Sequence, residues 1–179
     1  MQKLRIGLDI DDCLVDFWGA YCEYFNTHNN PKMLKDYVIT RNVQQVLSKD
    51  RNFWLNLEVK NRPNFTPELY CTKRIINKSI TKKYLSDNKF PKAPIYQQYY
   101  QKGSKFPFIN GKVDLFIDDS IANMVDLNLK GVPCLLFSTN NNITWGPYGR
   151  VYSLDINEIM DVYNLFIKTI FPNFKCLIN

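Results

Sequence analysis

Histidine is almost absent from this chain: His28 is the only one in 179 residues. That argues against a zinc site. It also excludes Ser-His-Asp or Cys-His catalysis unless His28 alone supplies the base, so any chemistry has to run on carboxylates, hydroxyls, lysines or a metal. Long apolar runs are missing too, none approaching the ~20 residues that cross a bilayer. The opening MQKLRIGLDIDD lacks the apolar stretch and small-residue cleavage site of a secretory signal. A soluble, cytoplasmic protein without membrane partners is expected. The five cysteines, Cys13, Cys22, Cys71, Cys134 and Cys176, form no CxxC pair and read as reduced, mostly buried thiols. Acidic residues are the minority, 17 against 23 Lys and Arg, for a net charge of +6. This attracts nucleic acid, acidic lipid or a phosphorylated small molecule without choosing among them.

What is present is enough apolar residue, 45% of the chain, for one core and too little chain for two full domains. Short apolar runs alternate with amphipathic stretches, the pattern of an α/β domain with a mostly parallel sheet. Five strands are expected at 4–9, 69–72, 94–98, 113–118 and 132–137, the third confined to an edge by Pro94. Helical spacing occurs at 17–25, 81–88, 121–129 and 157–170. Residues 26–66 break the alternation. They are rich in Asn and Lys, with a modest helical stretch at 43–47 and the aromatic pair Phe53-Trp54, and read as a subdomain inserted between the first two strands. STNNNITWGPYG is a loop.

Chemistry concentrates at strand ends. LRIGLDIDDCLVDF delivers Asp9, Asp11, Asp12 and Asp16 directly after an apolar strand, and VDLFIDDSIANM ends another in Asp118-Asp119. Adjacent carboxylates repel, so such clusters need a cation, protons or solvent. In an open parallel sheet the carboxyl ends of strands line the ligand crevice. If the two strands are neighbours, Asp9, Asp11, Asp118 and Asp119 converge on a site for a hard cation such as Mg²⁺. Either cluster alone would as readily cap the following helix. A third strand ends in Thr72, Lys73 and Arg74. Lys102, Lys105 and Lys112 each also fit an ordinary solvated surface.

These residues resemble the haloacid dehalogenase superfamily of phosphotransferases. Asp9-Ile10-Asp11 is similar to its first motif, Thr72 to its second, a lysine between 102 and 112 to its third, and Asp118-Asp119 with Asn123 to its fourth. Within it, DIDDCLVDF, the segment Phe53-Trp54 with Asn56-Leu57-Glu58, GVPCLLFSTNNN and GRVYSLDINEI resemble the 5'(3')-deoxyribonucleotidase group. The resemblance implies a Rossmann-like three-layer sandwich around a five-stranded, mostly parallel sheet, with a core of 1–15 and 67–179 and a small helical cap at 16–66. Two features depart from that group: Asp12-Cys13 replaces a Gly and a small or β-branched residue, and Lys73-Arg74 follows Thr72 in place of a Ser-Pro type sequence.

The implied activity is a Mg²⁺-dependent phosphatase, with Asp9 as nucleophile, Asp11 as general acid and base, Thr72 and a lysine on the phosphoryl group, and Asp9, Asp11, Asp118 and Asp119 as the metal set. Lys105 is the preferred lysine because Lys112 sits too close to the start of the following strand to reach its far end; Lys102 stays open. Phe17, Trp18, Phe53 and Trp54 are candidate walls for a nucleobase, with Lys73 and Arg74 as further substrate contacts. The expected partner is a small phosphorylated metabolite, first a nucleoside 5'-monophosphate. A polynucleotide end-processing phosphatase and a non-catalytic nucleic-acid binder rank behind it, and homodimer formation is left open.

Overall fold

In the computed structural model, the residues described are 3–24, 47–98, 103–146 and 149–174. His28, Lys102, Cys176, Phe25 and most of the expected 43–47 helix lie outside them. Strands β1 (Ile6–Leu8), β2 (Leu69–Thr72), β3 (Ile95–Gln97), β4 (Leu115–Asp118), β5 (Cys134–Phe137) and β6 (Arg150–Val151) form one sheet in the order β3-β2-β1-β4-β5-β6, and every pairing is parallel. Helices flank it: α1 (Phe17–Tyr24), α2 (Arg51–Leu55), α3 (Lys78–Asp87), α4 (Phe106–Ile109), α5 (Ile121–Leu129) and α6 (Ile156–Thr169). The fold is a Rossmann-like α/β sandwich. β1, β4 and β5 are buried along their whole length, as strands covered on both faces must be.

The sheet has six strands where five are expected. β6 is only two residues long and begins with Arg150, so neither alternation nor an apolar run betrays it; hydrogen bonds within the preceding loop make burial of that arginine affordable. β2 keeps its expected bounds, and the other four strands are shorter than their apolar runs. β3 lies at the edge and starts just after Pro94, whose carbonyl accepts from the Tyr70 amide at 2.9 Å. Helix α3 begins at Lys78 rather than 81 because the Asn77 side chain accepts from the Ser79 amide and sets the start. Ser120 caps α5 and Asp155 caps α6 in the same way.

The strand order reverses between β2-β1 and β4-β5, so β1 and β4 lie side by side where the chain switches direction across the sheet. Crevices form beyond the carboxyl ends at such a point. The close approach of the two strands depends on Gly7: a Cβ there would stand 2.7 Å from Cδ2 of Phe116. Past β1 the chain makes a tight loop through Asp12, whose φ of 58° is left-handed. It pairs Val15 with Val59 of the returning segment, and the Asp16 amide donates to the Glu58 carbonyl at 3.0 Å. Residues leaving at 16 are thereby tied to those coming back at 58. Among the described residues, no helix is long and apolar enough to cross a membrane.

Candidate active site

β1 and β4 run in parallel register, Leu8 opposite Ile117, and the Asp9 amide donates to the Ile117 carbonyl at 2.9 Å. Asp9 and Asp118 therefore emerge side by side. Between them lies Lys105, 1% exposed, with its Nζ 2.8 Å from Asp9 Oδ1 and 2.7 Å from Asp118 Oδ2. It immediately precedes α4, upstream of β4. Burial alone would lower its ammonium, but Asp118 and Asp9 together hold it well above the usual lysine value. Lys112 is elsewhere: its Nζ donates to the Phe108 carbonyl at 2.8 Å and lies over the Tyr96 ring.

The two adjacent aspartates of β4 divide their work. Asp118 is consumed by structure, for its Oδ1 accepts from the Ser120 amide at 2.9 Å and from Asn123 Nδ2 at 3.0 Å while Oδ2 meets Lys105. Asp119, one residue past the end of β4, lines the cleft. Asp9, Cys13 and Asp119 each bring one ligand atom to within 4.8 Å of the others. Burial, reinforced by Asp118 and Asp9, raises Asp119 well above the carboxylate range. Asp9 is pushed up to about 7 by burial and by the charges of Asp118 and Asp11, against the pull of Lys105. Asp12 also reaches about 7, through burial opposed by the Trp18 amide that donates to its Oδ1 at 2.9 Å. Asp9 and Asp119, two crowded carboxylates that resist ionisation, belong with Cys13 to a group that could hold a cation.

Asp11 points toward β2. Its Oδ2 accepts from Thr72 Oγ1 at 3.1 Å, its Oδ1 accepts from Arg74 Nε at 2.9 Å, and Arg74 Nη2 lies 2.8 Å from Oδ1. Arg74 is fully buried and its guanidinium sits over the rings of Trp54 and Tyr84, 5.3 and 5.4 Å from their centroids. Lys73 is half-buried and donates to Asn123 Oδ1 at 2.6 Å; burial and the nearby Lys105 lower its pKa.

No protein-family model and no curated protein matches this chain.

Above the carboxylates is a cleft of about 450 Å³ whose walls include Phe17, Trp18, Trp54, Thr72, Lys73 and Arg74. Phe17 stacks on Trp54 at 5.6 Å and Trp18 on Tyr21 at 5.4 Å. Phe53 does not line this cleft. It is buried behind it, edge-on to Phe17, Tyr24 and Trp54, and packs the support of the wall. Cys13 and Cys71 flank the site, and burial pushes the Cys71 thiol up to about 12 and the Cys13 thiol well above its ordinary value, which disfavours either as a nucleophile. The contact of Arg74 with Asp11 was not foreseeable from spacing, because a lone Arg after a strand carries no mark of its partner 63 residues away. Asp12, one of the carboxylates that follow the first strand, also lines the cleft though it is not among the expected site residues.

Proposed function

We propose that the chain is a phosphatase acting through an aspartyl-phosphate on Asp9, with Mg²⁺ as cofactor and a small phosphorylated metabolite as substrate, first a nucleoside 5'-monophosphate. The observation that carries this reading is the pairing of Asp9 with Lys105 at 2.8 Å on the floor of a cleft, with the Asp119 carboxylate beside it. In the proposed reaction an Asp9 oxygen bonds to phosphorus as the ester P–O bond breaks, and the leaving oxygen takes a proton from Asp11, which is protonated for this step and released from its ion pair with Arg74. Water then attacks the same phosphorus and yields its proton to Asp11, the bond to Asp9 breaks, and inorganic phosphate leaves. Lys105 and Thr72 offset the charge on the transferring group. Lys73 stands at the edge of the cleft as an additional cationic contact.

The carboxylates of Asp9 and Asp119 suit a hard, oxygen-preferring cation, and their crowding is the kind of repulsion that such a cation relieves. They would hold Mg²⁺, which when bound screens the nucleophilic carboxylate from the phosphate dianion. Asp118 is better suited to holding Lys105, and the Asp11 side chain to acid and base work, than to ligation.

A cleft of about 450 Å³ with aromatic walls favours a mononucleotide over a strand end. The resemblance to the haloacid dehalogenase superfamily supports the same chemistry. Asp9→Asn should abolish Mg²⁺-dependent hydrolysis of an aryl phosphate while leaving the circular dichroism spectrum unchanged; full activity in that variant overturns the reading. Faster turnover of a phosphorylated oligonucleotide than of a mononucleotide would shift it to an end-processing enzyme.

A further inference from the structure

Resting on the proposed cation site, we infer that Asn142, anchored by Arg150, is a positioning residue that sets the Asp119 carboxylate against Asp9. The pairing of β4 with β5 ends at Asp118 opposite Leu136. One residue further on in each chain, Asn142 from the loop after β5 bridges the two, donating from Nδ2 to the Asp119 carbonyl at 2.8 Å and to the Phe137 carbonyl at 2.7 Å. Its Oδ1 accepts from the Thr139 amide at 3.0 Å and from Arg150 Nη1 at 2.7 Å. Both donors and both acceptor positions of a buried amide are thus in use.

Arg150 is buried as well and completes the clamp, its Nη2 donating to the carbonyls of Asn142 and Trp145, each at 2.8 Å. The short strand β6 that carries it pairs Arg150 with Leu136, so the arginine is itself fixed by the sheet. The chain of contacts runs from β6 through Arg150 and Asn142 to the Asp119 peptide, and it ends on a residue whose carboxylate must stay near Asp9 to share a cation. Buried polar groups satisfied this completely hold one geometry, and ligand groups bind a metal tightly only when their supports hold them in place.

Asn128 provides a matched control. It is a buried asparagine that bridges Met124 and Cys134 with three hydrogen bonds at the opposite, amino-terminal end of β5. Mn²⁺ binding to the full chain, followed by the loss of the free-ion electron paramagnetic resonance signal, reads the site without turnover. Asn142→Ala should raise the Mn²⁺ Kd about tenfold or more, whereas Asn128→Ala should lower Tm and leave that Kd unchanged. Arg150→Lys, which cannot reach all the same acceptors, should weaken binding several-fold and serves if Asn142→Ala fails to fold. An Asn142→Ala or Arg150→Lys Kd within about twofold of wild type overturns the inference, as does equal weakening in Asn128→Ala. A wild-type chain that binds no Mn²⁺ overturns the cation site itself.

Discussion

Arg74 and Asp11 form an ion pair whose guanidinium is wholly excluded from solvent, with Nε 2.9 Å and Nη2 2.8 Å from the same carboxylate oxygen. The arginine is also sandwiched against Trp54 and Tyr84. It therefore links the aromatic wall on α2 to the side chain proposed as general acid. Removing one member of such a pair strands the other, at a cost of about 3 kcal/mol. Arg74→Met should lose about that much in urea unfolding and lower kcat about 100-fold through misplacement of Asp11. Arg74→Lys should rescue neither, since an ammonium cannot offer two nitrogens to one carboxylate. Wild-type kcat in Arg74→Met would remove Asp11 positioning from its role.

Lys105 and Lys112 separate by function. Lys105→Met leaves two buried carboxylates without their cation and should reduce aryl phosphate hydrolysis by about 100-fold or more. Lys112→Ala should retain full activity, because among the described residues that ammonium meets the Phe108 carbonyl and the Tyr96 ring and does not line the cleft. The reverse ranking in a steady-state assay would reassign the phosphate-contacting lysine.

Trp18 lines the cleft, whereas Phe53 packs behind it. One base stacked on an aromatic ring is worth about 1–3 kcal/mol. Trp18→Ala should therefore raise KM for a nucleoside 5'-monophosphate about tenfold, with little change for acetyl phosphate, which has no ring to stack. Phe53→Leu should lower Tm and leave both KM values near wild type. Equal effects of Trp18→Ala on the two substrates would argue against a base-binding wall.

At the opposite end of the sheet, Arg5 pairs with Asp114 at 2.7 Å and its hydrogen bonds hold that carboxyl below the usual carboxylate value. An unfolded aspartate titrates near about 3.9. The pair thus contributes stability above about pH 4 and loses it as pH falls through the lower folded value. The Tm difference between wild type and Asp114→Asn should be full at pH 7 and close below about pH 4. A gap that widens on acidification would contradict the assigned partner.

Much of the architecture was legible in the chain because its cause is local. A parallel strand covered on both faces must be an apolar run, which marks Gly7-Leu8 and Phe116-Ile117 and predicts that Asp9 and Asp118 stand at their ends. The helices at 121–129 and 157–170 begin within a residue of their apolar spacing, next to the caps Ser120 and Asp155, whereas the Asn77 cap starts α3 three residues before its spacing does. β6 escaped because two residues carry no period, and its Arg150 looks polar until the carbonyls that surround it are in place.

The sequence by itself determined which carboxylates stand at strand ends and that catalysis, if present, would have to proceed almost without histidine. Only the tertiary structure decided how they are used. Asp118 and Asp119 are indistinguishable as neighbours in the chain. They differ because Lys105 and Asn123 take up the first, while Asn142 holds the peptide of the second with its carboxylate near Asp9. Arg74 likewise turned from a candidate substrate contact into the partner of Asp11. These assignments depend on side chains from distant segments meeting in a buried space, where each donor must find an acceptor, and spacing along the chain does not encode that choice.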